Sequence, residues 1–179
     1  MARIGRELVA QARMLARSEP RRPKQATLRR TVSTAYYGLF HFLIEESTAL
    51  LCGVGQADGA FRQLAARAFV HGKMKSACKE FVKANAHDVH DLLQPLWSIL
   101  SISSNQHAQL VAQTFIDLQD ERHSADYDLS VSFSRQDALY AVTRAETAIN
   151  AWRQLRVGSP DVCRLFAMAL ILWPSLASR

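Results

Sequence analysis

The chain has 179 residues, 49% of them hydrophobic and 21% charged, with only seven glycines and five prolines. That is enough chain to bury one sizeable core, and it is too apolar and too lightly charged for a disordered segment. The net charge of +6 is uneven, because residues 1–30 hold nine Lys/Arg against two Glu while the remainder is close to neutral. A basic end of this kind suits an anionic partner such as nucleic acid, and it equally suits a solvated arginine-rich helix face.

Residues 2–17 read as an amphipathic helix with Ile4, Leu8, Ala12 and Leu15 inward and arginines outward. Pro20 and Pro23 end it, since a proline disfavours helix for the residue before it. A second helix runs from about Gln25 to Leu51 and stops at Gly53 and Gly55. Along it Val32, Ala35, Tyr36, Leu39, Phe42 and Leu43 make an apolar stripe, and Arg30, Thr34, Tyr37 and His41 share an adjoining face. Asp58 is the expected cap of a third helix with Phe61, Leu64, Ala65, Ala68 and Phe69 toward the core. Met74, Cys78, Phe81 and Val82 continue that stripe past a bend or break at His71-Gly72.

Residues 84–106 carry a weaker pattern, with a helical turn or two at His87–Leu93, an interruption at Pro95 and a polar turn at Ser101–Asn105. A strong helix follows from about Gln106 to Glu121, with Leu110, Val111, Thr114, Phe115 and Leu118 inward, and ends in the polar junction Arg122–Asp128. Ser134 stands three residues before Asp137, the spacing of a capping box with Asp in place of Glu. Ala138, Ala141, Val142, Ala145, Ala148, Ile149 and Trp152 then recur at helical spacing until Gly158. Ser159-Pro160-Asp161 opens a last helix, with Ser as cap and proline in the first position. From Val162 to Trp173 it is apolar nearly all round, so it must be covered on more than one side, by the rest of the chain or at an oligomer or partner interface.

No window reads as a strand pair. The expected fold is all-α, an antiparallel up-and-down helical bundle of four to five main helices over residues 1–158 with an additional apolar C-terminal helix over 159–179. Cys52, Cys78 and Cys163 are odd in number and lack any zinc or CxxC spacing, which points to a reducing cytoplasm. No apolar segment follows the N-terminal charges, and the longest apolar run, 165–173, is too short to span a bilayer, so no membrane association is expected.

Two polar constellations carry the chemistry. On the second helix Arg29 and Arg30 suit phosphate contacts, with Ser33 as a hydroxyl partner and Tyr36 or Tyr37 as a surface for a stacked base. The competing reading is that the tyrosines pack and the hydroxyls bond across helices. Later, Arg122, His123, Asp126 and Tyr127 fall within six residues. A histidine titrating near neutrality beside a guanidinium suits acid–base work on a phosphate. Alternatively Arg122 pairs with Asp126 and merely ties off the junction. His87, Asp88, His90 and Asp91 lack a third ligand at a fixed spacing, so neither a metal nor another cofactor is expected.

The run Arg30-(x5)-Tyr36-Tyr37-Gly38-Leu39-Phe40-His41 resembles the R-x-x-x-x-AYYAxFH helix of HEPN-domain proteins. Arg122-His123-Ser124-Ala125-Asp126-Tyr127 is similar to the R-x-x-ADY stretch of the same family, in the same order and at a fitting separation, so the resemblance spans about residues 1–157. It implies a helical bundle, commonly a homodimer, often encoded beside a minimal nucleotidyltransferase. Many members are metal-independent ribonucleases of toxin–antitoxin, defence or RNA-processing systems, and others are non-catalytic RNA-binding or docking modules. Active members carry Arg-x(4–6)-His, and here no arginine precedes a histidine at that spacing: only three residues lie between Arg67 and His71, and Arg122 and His123 are adjacent. The expectation is therefore RNA binding, or docking to a nucleotidyltransferase partner. Were the chain a ribonuclease, His123 would serve as acid–base, Arg122 would stabilise developing charge, Asp126 or Tyr127 would orient them, and His41 would be a second base.

Overall fold

The computed structural model describes residues 3–19 and 21–176, with side chains as far as Trp173. Every regular element among them is helical: α1 (Ile4–Arg17), α2 (Gln25–Cys52), α3 (Asp58–Ala66), α4 (His71–Phe81), α5 (Gln94–Ile99), α6 (Gln106–Tyr127), α7 (Arg135–Gly158) and α8 (Pro160–Leu176). Two single 3₁₀ turns, Ala86–Asp88 and Ile102–Ser104, flank α5.

The helix at the centre is α2. Thr31 to Tyr36 are all buried, and so are Gly38, Leu39, Phe40, Phe42 and Leu43. Six consecutive buried residues cover every direction around a helix, so α2 is surrounded here; its neighbours are α1, α3, α6, α7 and α8. The stripe from Val32 to Leu43 lies sealed in the core, as its period requires.

Helix α1 packs on α2 through a face other than its leucines. Gly5, Val9, Ala12 and Ala16 are buried, whereas Ile4 is 51% exposed and Leu8 and Leu15 are half-buried. The cause is a backbone crossing too close for large side chains. A Cβ on Gly5 would stand 2.5 Å from the Phe42 nitrogen and 2.7 Å from the Gly38 carbonyl oxygen, and one on Gly38 would meet Val9 Cγ2 at 2.5 Å. Close packing at this density leaves room for a hydrogen and nothing larger.

The expected third helix is two helices. Four residues between Ala66 and His71 separate α3 from α4, and of the expected stripe only Phe69, in the connection, and the α4 half are core. Met74, Cys78 and Phe81 are fully buried, while α3 buries nothing and leaves Phe61 at 62% and Leu64 at 68% exposure. Helix α3 has α2 as its main neighbour, and one neighbour cannot cover its apolar side. Asp58 does not cap it: its Oδ2 accepts the Gly55 N–H at 2.7 Å and closes the turn after Gly53, whose φ of 88° suits a residue without Cβ.

Pro95 begins α5 instead of interrupting a helix, since in the first turn its missing N–H costs nothing. Helix α6 starts where Asn105 Oδ1 accepts the Ala108 N–H at 3.0 Å, and it runs six residues past its expected end. No breaker stands between Arg122 and Tyr127, and Arg29 of α2 satisfies the last carbonyls. The capping box at α7 forms as read, with Ser134 Oγ accepting from the Asp137 N–H at 3.1 Å and Asp137 Oδ2 accepting from the Ser134 N–H at 2.8 Å. On α8, Val162, Cys163, Phe166, Ala167, Ala169, Leu170 and Trp173 are buried and join the same core, with Phe166 stacked on Phe81 at 4.0 Å. Met168 and Leu172 stay about 40% exposed, at 41% and 42%. Among the described residues no helix is long and apolar enough to cross a membrane, and all three cysteines are free.

Candidate functional site

The polar face of α2 lies against the C-terminal end of α6. Its side chains approach that end because α2 is buried on nearly every side, so that its one polar strip must find partners on a neighbouring helix. Arg122 Nη2 donates to the Tyr37 hydroxyl at 2.8 Å, joining residues 85 apart in sequence. Ser33, almost wholly buried, donates from Oγ to Asp126 Oδ1 at 2.5 Å. Asp126 Oδ2 stands 2.7 Å from Arg122 Nε, an ion pair one turn apart on α6. The Nε hydrogen is not aimed at that oxygen, so Nε pairs by charge and makes no hydrogen bond. The guanidinium carbon lies 5.4 Å from the ring centroids of both Tyr37 and Tyr127, a cation held between two aromatic faces.

A second polar layer sits behind this one. Tyr36 is fully buried, and its hydroxyl meets His71 Nδ1 at 2.7 Å. The His71 ring stacks on Phe40 at 3.8 Å and points an edge at Tyr37 at 5.9 Å. Burial lowers the His71 pKa below the ordinary 6.5, and the charges of Arg122 and His41 push it the same way. Burial likewise raises the Tyr36 hydroxyl far above its usual 10, so it stays protonated. A buried hydroxyl needs a use for its proton, and Nδ1 is its one hydrogen-bond partner. Tyr36 therefore donates to Nδ1, and neutral His71 carries its hydrogen on Nε2.

The residues singled out in the sequence take different parts. Arg122, Asp126, Ser33 and Tyr37 form the junction itself. His123 is exposed and tilts its ring over Tyr127 at 5.1 Å, and Tyr127 is 65% exposed. His41 is half-buried, edge-on to Phe40 at 5.3 Å. Arg30 projects into solvent at the open end of the same strip. Three assignments change. Ser33 is buried with its hydroxyl spent on Asp126, so it braces the junction and is not free for a ligand. Arg29 spends its guanidinium on the carbonyls of Ala125 and Asp128, each at 2.9 Å, and on that of Val131, so it fastens α6 and is not free for phosphates. Tyr36 has no exposed face for a base, so its ring belongs to the core and its hydroxyl orients His71.

His71 is the residue that sequence reading passed over as part of a bend. The available signal was its place at that break, where a new helix starts and its first side chain can turn inward. Among the described residues no group of His, Cys, Asp and Glu is disposed to hold a metal ion. A groove of 390 Å³ lies between α2 and α3, lined by Ile44, Thr48, Ala49 and Val54 among others, and shares no residue with this cluster. Convergent donors outweigh concavity here, and the α2–α6 junction is the candidate site. Set against models of protein families, curated proteins and solved structures, the chain matches none of them.

Proposed function

We propose that this chain is a HEPN-like helical protein, an antiparallel up-and-down bundle with its apolar C-terminal helix laid against it, that binds RNA. The observation that supports the reading is the meeting of two sequence-distant polar segments, Ser33–Tyr37 and Arg122–Tyr127, in one exposed-edged cluster. That cluster offers a guanidinium, hydroxyls and two exposed or half-exposed tyrosine rings, the groups by which proteins hold a single strand through its backbone and stack on its bases. Arg30 extends the strip with a solvated charge. The setting this implies is a toxin–antitoxin, defence or RNA-processing system, and a nucleotide-associated partner protein would use the same face.

The test is binding of labelled single-stranded RNA to the full chain across a salt series. Binding that weakens steeply with salt, loses about one unit of salt slope in Arg30→Ala and drops in Tyr127→Ala supports the reading. Salt-independent binding, or none, sinks it. Shortened RNA, with cutting lost in His123→Ala, would replace it with the ribonuclease reading.

A further inference from the structure

Around the ring of Tyr37 three groups have donor capacity left over: Arg122, the Tyr37 hydroxyl and His71. Arg122 uses Nη2 on the Tyr37 hydroxyl and sets Nε beside Asp126, which leaves Nη1 without a hydrogen-bond partner among the described residues and not buried. The Tyr37 hydroxyl accepts from Arg122 and so keeps its own proton to give. His71 has Nδ1 engaged by Tyr36, and its Nε2–H makes no bond within the described residues and is not buried. The one acidic group nearby, Asp126, has an oxygen on Ser33 and the other on Arg122. The charged and titratable groups facing His71 from other elements are Tyr36, Tyr37 and His41 of α2 and Arg122 of α6. On its own helix Lys75 is paired with Asp120 and Lys73 is exposed.

A cluster that presents three donors, with the one acidic group among them held by Ser33 and by charge against Arg122, is matched to an oxyanion. Arg122 Nη2 stands 2.8 Å from the Tyr37 hydroxyl, and the His71 ring lies 5.9 Å from the Tyr37 ring, so the three donors border one tyrosine. Arg122 supplies the only positive charge of the three donors, the Asp126 carboxylate beside it offsets part of that charge, and burial favours the neutral form of His71. A partly offset guanidinium and two neutral donors match the single charge of a phosphodiester better than the near-double charge of a phosphate monoester, which the Asp126 carboxylate would repel more strongly. We infer that Arg122, Tyr37 and His71 form one oxyanion subsite that takes a backbone phosphodiester of RNA, with His71 acting as a neutral donor through Nε2. The inference rests on the RNA reading above for the source of the phosphodiester and not for the chemistry of the subsite.

Two substitutions divide the two nitrogens of His71. His71→Asn keeps an acceptor near the Nδ1 position for Tyr36 and removes the outer donor; His71→Gln places an amide N–H near Nε2 and gives up the inner acceptor. For the full chain and a fluorescein-labelled oligouridylate, His71→Asn is expected to weaken binding about tenfold, and His71→Gln to stay near wild type. Tyr37→Phe, which keeps the ring and removes the hydroxyl, gives an independent loss should His71→Asn fail to fold. In parallel, titration of dimethyl phosphate is expected to shift the His71 imidazole resonances of the wild type. If oligouridylate binds and neither His71→Asn nor Tyr37→Phe weakens it, the subsite is wrong and the RNA reading stands. If dimethyl phosphate moves His71 but oligouridylate does not bind, the subsite stands and its RNA ligand is wrong. No response to either probe overturns both.

Discussion

Ser33→Ala should destabilise the protein by about 1.5–2 kcal/mol, and nearly all of that comes from one hydrogen bond across the α2–α6 junction. Ser33 is 1% exposed, and its hydroxyl donates to a carboxylate at 2.5 Å. Alanine removes the hydroxyl without opening a cavity of any size, so the packing contribution is small. A hydrogen bond to a charged group contributes about 1.5–3 kcal/mol, and the lower half applies because the Asp126 side chain keeps 27% exposure and water can take up the freed oxygen. For a chain of this length that corresponds to a fall in Tm of about 3–8 °C. The direct assay is a double-mutant cycle of Ser33→Ala and Asp126→Ala by denaturant titration, in which the two losses should overlap by about 1–2 kcal/mol. Losses that add within about 0.5 kcal/mol would mean the two residues do not touch, and the candidate site would fall apart into two unrelated polar patches.

Gly5→Ala should cost about 2–3 kcal/mol in a thermal melt, because its methyl group would meet the backbone of α2 at 2.5 Å and no rotamer relieves that. Gly38→Ala should cost less, since its nearest obstacle is a side-chain methyl of Val9; equal losses would disprove the asymmetry. The third prediction concerns acid. His71 is held neutral in the folded chain and protonates more readily once unfolded, so the unfolded state binds more protons below pH 6.5. Its contribution to stability is full above 6.5 and is lost as pH falls from there through the lower folded pKa. Tm measured against pH should show that loss in the wild type and a flatter curve over the same window in His71→Gln, and parallel curves would refute it.

Period and capping chemistry made much of the secondary structure legible. The α2 stripe from Val32 to Leu43 and the Ser134–Asp137 box both form as their spacing requires, because each depends on residues within a turn or two of one another. Where reading went astray, a neighbour unseen in the local pattern had the deciding effect. Helix α1 turned Gly5, Val9, Ala12 and Ala16 inward because the close crossing at Gly38 leaves no room for its leucines, although they carry more apolar surface. Phe61 and Leu64 follow a helical period and stay exposed, since helical spacing places apolar residues on one face without guaranteeing anything to cover it. The residues of the site were mostly visible, and the misassignments, Arg29, Ser33 and Tyr36, are groups whose chemistry is used up inside the fold.

Amino-acid order alone therefore specified an all-helical chain, the central place of the Val32–Leu43 segment, and two polar stretches out of keeping with an ordinary bundle. Packing in three dimensions settled which arginine is engaged and which is open, put His71 beside Tyr37 and Arg122, and left Asp126 with both oxygens occupied. The division has a simple physical origin. Helix formation is governed by interactions within a few residues, whereas the partner of a buried hydroxyl or guanidinium is chosen by desolvation, and desolvation depends on whichever distant helix comes to lie alongside.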